Sequence, residues 1–138
     1  LSWGYLVPKI SKNVSDAIRL LKFGAPLNLI VLAFIIYLGP KAGAYHWAFF
    51  AVSSVFLSLT QPAVGMAFSL SNAGKALTSF NLLLFIGAFA LQWIIGVIID
   101  LTMNLGYSEI SGFRFAMIFF LLTSFFSYLF FLIRNYKN

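Results

Sequence analysis

The chain has no cysteine, which excludes disulfides, thiolate metal sites and cysteine nucleophiles. Acidic residues are almost as scarce. Of Asp16, Asp100 and Glu109, the last two fall at a helix end and in a connection, so no apolar run holds a carboxylate pair for acid–base work. His46 is the single histidine, beside Trp47 at an apolar boundary, with no second ligand of its own kind for a metal; interfacial anchoring is its expected role. An enzyme is therefore not expected, nor a bound cofactor or metal. Charge of either sign is rare: 9% of 138 residues are charged, while 62% are hydrophobic and 19% aromatic. That is too little charge to cover a small water-soluble globule, so lipid must supply most of the surroundings.

The uncharged stretches are long enough to fix the class. No Asp, Glu, Lys or Arg occurs for 18 residues after Lys22, 33 after Lys41, 24 after Lys75 and 19 after Arg114. A helix rises about 1.5 Å per residue, so roughly 20 apolar residues cross a hydrocarbon layer of about 30 Å. The expectation is an all-α, polytopic membrane bundle with four full spans. The net charge of +6 would suggest nucleic acid in a soluble domain. Here the basic residues sit between apolar runs, where anionic headgroups attract them, so the bilayer is the expected partner and nucleic acid is not.

Residues 1–22 divide into an apolar stub and a basic connection holding Pro8, Lys9, Lys12, Asp16, Arg19 and Lys22, expected at the membrane surface. The start at Leu1, with neither methionine nor a signal-peptide pattern, reads as the end of a helix that begins earlier in a longer chain. Residues 23–138 form the four-helix region, with spans at about 23–39, 45–70, 79–103 and 113–133. Gly39 and Pro40 close the first span, and Pro62 should bend the second. The segment 71–78 (SNAGKALT) and the segment 104–112 are connections, and Arg134 to Asn138 form a basic tail.

Four crossings put the first connection, the segment 71–78 and the tail on one side. That side collects Lys9, Lys12, Arg19, Lys22, Lys75, Arg134 and Lys137 against Lys41 and Arg114 opposite, which marks it as cytoplasmic by the positive-inside rule. Asp100 and Glu109 then face outward, with Asp100 placed to pair with Arg114. Trp3, Tyr45, Trp47, Tyr107, Tyr128 and Tyr136 mostly fall near boundaries, as amphipathic belt residues do.

Polar residues inside the spans are the candidates for chemistry. Ser54, Ser58, Gln61 and Gly65 recur at helical spacing along the second span, with Ser53 beside them; Asn81, Ala88, Gln92 and Gly96 repeat the pattern in the third, near Gly87 and Trp93. Such a face either packs closely against another helix or lines a hydrated cavity. A long amide in hydrocarbon needs partners, which singles out Gln61 and Gln92. No mid-span acid or base is present for proton coupling.

Residues 61–100 (QPAVGMAFSLSNAGKALTSFNLLLFIGAFALQWIIGVIID) resemble the tenth helix, cytoplasmic loop and eleventh helix of a major facilitator superfamily transporter. The resemblance rests on Pro62 and Gly65, on Lys75 between Gly74 and Ala76, on Asn81, and on the run Gly87, Ala88, Phe89, Gln92, Gly96 and Asp100. Residues 1–22 similarly look like the end of the eighth helix and the loop after it, with Trp3 and Gly4 before basic residues. The resemblance implies the C-terminal portion of a twelve-helix secondary carrier that moves a small solute by alternating access. Its partners would be the remaining helices of the same transporter and the solute itself, and its location a cell membrane of the bacterial inner type with the C-terminus cytoplasmic. Ser54, Ser58, Gln61, Asn81 and Gln92 would face the substrate cavity, and Pro62, Gly65, Gly87 and Gly96 would allow bending at the gate. The first and fourth spans, uniformly apolar, would be lipid-facing flanks. The alternative is a self-contained four-helix membrane protein, either a dimeric small multidrug exporter or a non-catalytic assembly subunit. The exporter would require a membrane-embedded carboxylate, which no span holds.

Overall fold

The computed structural model describes residues 13–136, with Tyr136 described by its backbone alone. The described residues form an all-α bundle with four helical segments long and apolar enough to cross a membrane: Val14–Lys41, Ala44–Met66, Leu70–Asn104 and Glu109–Asn135.

Helix α1 is Val14–Leu38. The sequence places its first nine residues in a surface connection, but they pair one apolar face (Ala17, Leu21) with polar residues (Asp16, Arg19, Lys22), so the chain enters the membrane already helical. Asp16 in the first turn complements the positive end of the helix dipole. At the other end Gly39 takes φ 55°, its N–H bonding the Ile35 carbonyl, and Pro40 follows in a short 3-10 turn. That positive φ suits glycine and ends the helix where the sequence expects it.

The second span is broken into three parts: α2 (Ala44–Ser54), a 3-10 stretch (Val55–Leu59) and α3 (Thr60–Met66). Gly43 opens α2 by donating its N–H to His46 Nδ1 at 3.1 Å, so this histidine serves as a cap. The irregularity lies just before Pro62, as the ring's missing donor and its clash with the preceding turn require. Ser58 Oγ donates to Val55 O at 2.7 Å and Thr60 Oγ1 to Leu57 O at 2.8 Å, so hydroxyls take up carbonyls in the tightened stretch.

Helix α4 is Leu70–Asn104, 35 residues long, and it absorbs the segment expected as a connection. Nothing in SNAGKALT forbids helix, and Thr78 Oγ1 returns a bond to Gly74 O at 3.0 Å. At about 1.5 Å per residue α4 exceeds the bilayer's apolar thickness, so its Lys75 end projects beyond it. A turn with Gly106 at φ 86° leads to α5, Glu109–Tyr136.

Packing is centred on α1, which meets all parts of the second span and α5; α4 lies against α5 and α3. The first span is therefore the most buried of the four among the described residues, and α4 the least. The reason is shape rather than polarity. Without a hydrophobic drive between helices in lipid, small residues decide which faces meet. Ala17, Leu21, Gly24, Asn28, Val31, Leu32 and Ile35 make one buried stripe along α1. A Cβ at Gly24 would overlap the Cβ and Cγ of Phe56, so glycine is what lets α1 reach the second span. Between α4 and α5, Gly112 also lies close to Ile99, but an added Cβ would sit 3.4 Å from Ile99 O, near ordinary contact, so the approach there does not depend on glycine as it does at Gly24.

Helix α1 carries one proline, Pro26, whose missing N–H frees the carbonyl of Lys22. Tyr128 Oη donates to that carbonyl at 2.8 Å from α5. Lys22 Nζ in turn donates to Asn135 O at 3.4 Å. These two bonds tie the start of α1 to the end of α5, at the same end of the bundle. Tyr128, expected as a belt residue, is thus a tie between helices.

Candidate functional site

Besides the two bonds that tie Lys22 to α5, polar side chains join the spans at two places. The first is buried. Asn28 of α1, 7% exposed, donates its amide to Ser53 Oγ at 2.9 Å and Ser54 Oγ at 2.8 Å, and more distantly to Phe50 O at 3.4 Å. Both hydroxyls donate onward to Phe50 O, at 2.8 and 2.9 Å. Because each serine proton is spent on that carbonyl, the serines can only accept from Asn28, which sets the orientation of the amide. The second contact is on the outside of the described chain, where Gln61 Nε2 donates to Asn81 Oδ1 at 2.7 Å and bridges α3 to α4.

The expected site residues separate along this division. Gln61 and Asn81 are brought together; Ser54 belongs to the Asn28 cluster instead. Ser58 is exposed and turned to its own backbone. Gln92 lies three turns beyond Asn81 on the same side of α4, exposed, so it does not join the pair. Pro62 sits in the first turn of α3, and Gly65 faces Leu77, whose Cδ1 would lie 3.5 Å from an added Cβ. Gly87 and Gly96 have open space in front of them, with nothing within 4 Å. Asp100 and Arg114 are both exposed.

Asn28, Thr123, Ser124 and Ser127, missed at the sequence level, and Tyr128, read there only as a belt residue, complete the picture. Asn28 is a single amide in an apolar run, and its signal was the serine pair one helix away. On α5, Thr123, Ser124, Ser127 and Tyr128 lie at i, i+1, i+4 and i+5, a helical face of hydroxyls that the apolar average of that span conceals. With Asn28, Ser54 and Thr60 they line a half-open cavity of about 640 Å³ between α1, the second span and α5, with Leu91 of α4 also in its wall.

Chemically, both contacts offer uncharged donors and acceptors in an apolar setting. Among the described residues no group of three His, Cys, Asp or Glu side chains is placed to hold a metal ion. Such a surface binds neutral polar groups and orients them; it has no acid or base for proton transfer. Comparison with known proteins leaves the geometry to speak for itself, since no protein-family model, curated protein or solved structure matches the chain.

Proposed function

We propose that this chain is the C-terminal portion of a secondary active transporter that moves a small solute across a cell membrane of the bacterial inner type by alternating access, with its C-terminal end in the cytoplasm. The observation that carries the proposal is the Gln61–Asn81 bond at 2.7 Å, on an exposed face that continues to Gln92. Amides are costly against lipid tails, so a row of them on helices implies water, a solute or further helices in front of it. A carrier supplies all three, because its second half closes over a hydrated midplane cavity.

Other features of the same helices suit that reading. Of the residues of α4 only Thr102 is buried within the described chain, and Gly87 and Gly96 lie open along it, as a surface needs if another bundle is to slide against it closely. The 3-10 stretch before Pro62 gives the second span a place to flex. The excess of basic residues at the end where Lys22 meets Asn135 supports the cytoplasmic assignment of that end.

The test is transport by the complete protein in proteoliposomes, over a panel of small organic anions, sugars and amino acids. For the solute that is moved, Gln61→Leu and Gln92→Leu should each lower the initial rate by about tenfold, the loss typical of one polar contact to a bound solute. Wild-type rates in both variants would contradict the proposal.

A further inference from the structure

The cavity beside Asn28 is separate from the Gln61–Asn81 face, since neither Gln61, Asn81 nor Gln92 lines it. Its volume of about 640 Å³ falls within the roughly 300–1,000 Å³ of sites that enclose drug-sized molecules. Its walls are mostly apolar, with Phe50, Phe120 and Phe131 among them, and no Asp, Glu, Lys, Arg or His lines it. A charged ligand would therefore meet no counter-charge in the bilayer and is excluded by desolvation. Yet the lining is not inert. The amide nitrogen of Asn28 is turned to the two serines, and its Oδ1, on a residue 7% exposed, receives no hydrogen bond from the described residues. Ser124 and Ser127 hydroxyls likewise make none. Buried acceptors are normally satisfied, and an orphan in a roomy cavity points to a donor that arrives with something else.

We propose that this cavity is a binding site for an uncharged amphiphile with a hydroxyl head, of the class of long-chain alcohols. Its hydroxyl donates to Asn28 Oδ1 and accepts from Ser124 or Ser127, while its apolar body lies against the three phenylalanines. Tyr128 and Thr123 also line the cavity but their hydroxyls are committed, to Lys22 O and to carbonyls of α5 respectively, so they shape the site without reading the ligand.

Photolabelling tests this on the complete, purified protein in nanodiscs, using a diazirine-bearing long-chain alcohol and its matched carboxylate and alkane. The alcohol should label peptides containing Phe50 to Thr60 and Phe120 to Phe131 and be displaced by unlabelled alcohol. Asn28→Leu should cut alcohol labelling by roughly tenfold, the loss of one buried hydrogen-bonding partner, without changing the alkane. Ser124→Phe and Ser127→Phe, which fill the cavity, should each abolish labelling there while the protein elutes as wild type. Equal labelling by all three probes overturns the proposal, as does labelling spread over the exposed face of α4 or persisting in both phenylalanine variants. Absence of any cavity label in the wild type overturns it too, because other helices of the chain then fill the space.

Discussion

Removing one oxygen from Tyr128 probes how α1 and α5 are held together. Tyr128→Phe keeps the ring, which stacks with Phe131 at 6.4 Å between centroids, and deletes only the donor to Lys22 O at 2.8 Å. That carbonyl has no donor within its own helix because Pro26 stands four residues on. An unsatisfied buried carbonyl costs about 1–3 kcal/mol, whereas hydrogen bonds between membrane helices average about 0.6 and reach about 1.7 kcal/mol. Lys22 is half-buried near the end of the bundle, where water reaches it, so a loss of about 1 kcal/mol is expected, roughly fivefold in the unfolding equilibrium. The diagnostic step is to repeat the change in a Pro26→Ala background. Alanine at 26 restores an N–H to the Lys22 carbonyl, so Tyr128→Phe should then cost less than about a third as much. Reversible unfolding of the complete protein in mixed micelles measures all four corners of the cycle. Equal costs in the two backgrounds would refute the account of Tyr128 as the partner of a proline-freed carbonyl.

Gly24→Ala should cost about 1–3 kcal/mol, because the new methyl meets Phe56, read as a shift in the same unfolding assay. A double-mutant cycle of Gln61→Leu with Asn81→Leu should return a coupling of about 0.5–2 kcal/mol; additivity would mean that the bond does not form in the membrane. Asn28→Leu should cost more than Ser53→Ala, by about 1 kcal/mol, because one amide serves two hydroxyls and each serine keeps its bond to Phe50 O; the comparison uses thermal inactivation half-lives.

The four spans were legible because charge is absent from them, and absence of charge is the property that lipid selects. Helix ends were less legible for the same reason. Lys22 and Lys75 read as stops, yet a lysine on an amphipathic turn only marks where lipid ends, so α1 starts at Val14 and α4 at Leu70. Which span packs most against the others was not legible, since hydropathy reports the cost of leaving lipid and says nothing about shape. Gly24 was the visible clue, one turn before Asn28 on the same face. Of the candidate site, helical spacing singled out Gln61 and Asn81 each on its own helix but not the bond between them, whereas the Asn28 cluster and the hydroxyl face of α5 were hidden as isolated polar residues in apolar runs. Pro62 announced an irregular second span, but that the 3-10 stretch begins at Val55 depends on tertiary packing against α1.

The central claim is that Gln61 and Gln92 face a water-accessible path in the complete carrier while Leu32 and Leu122 do not. Introducing cysteine at each of these positions and treating intact membranes with a charged, water-soluble thiol reagent tests it directly. The account predicts reaction at Gln61→Cys and Gln92→Cys, altered by transported solute, and none at Leu32→Cys, which is 1% exposed within the bundle, or at Leu122→Cys, on the apolar surface of α5. Silence at both glutamine positions together with reaction at both leucine positions would contradict it.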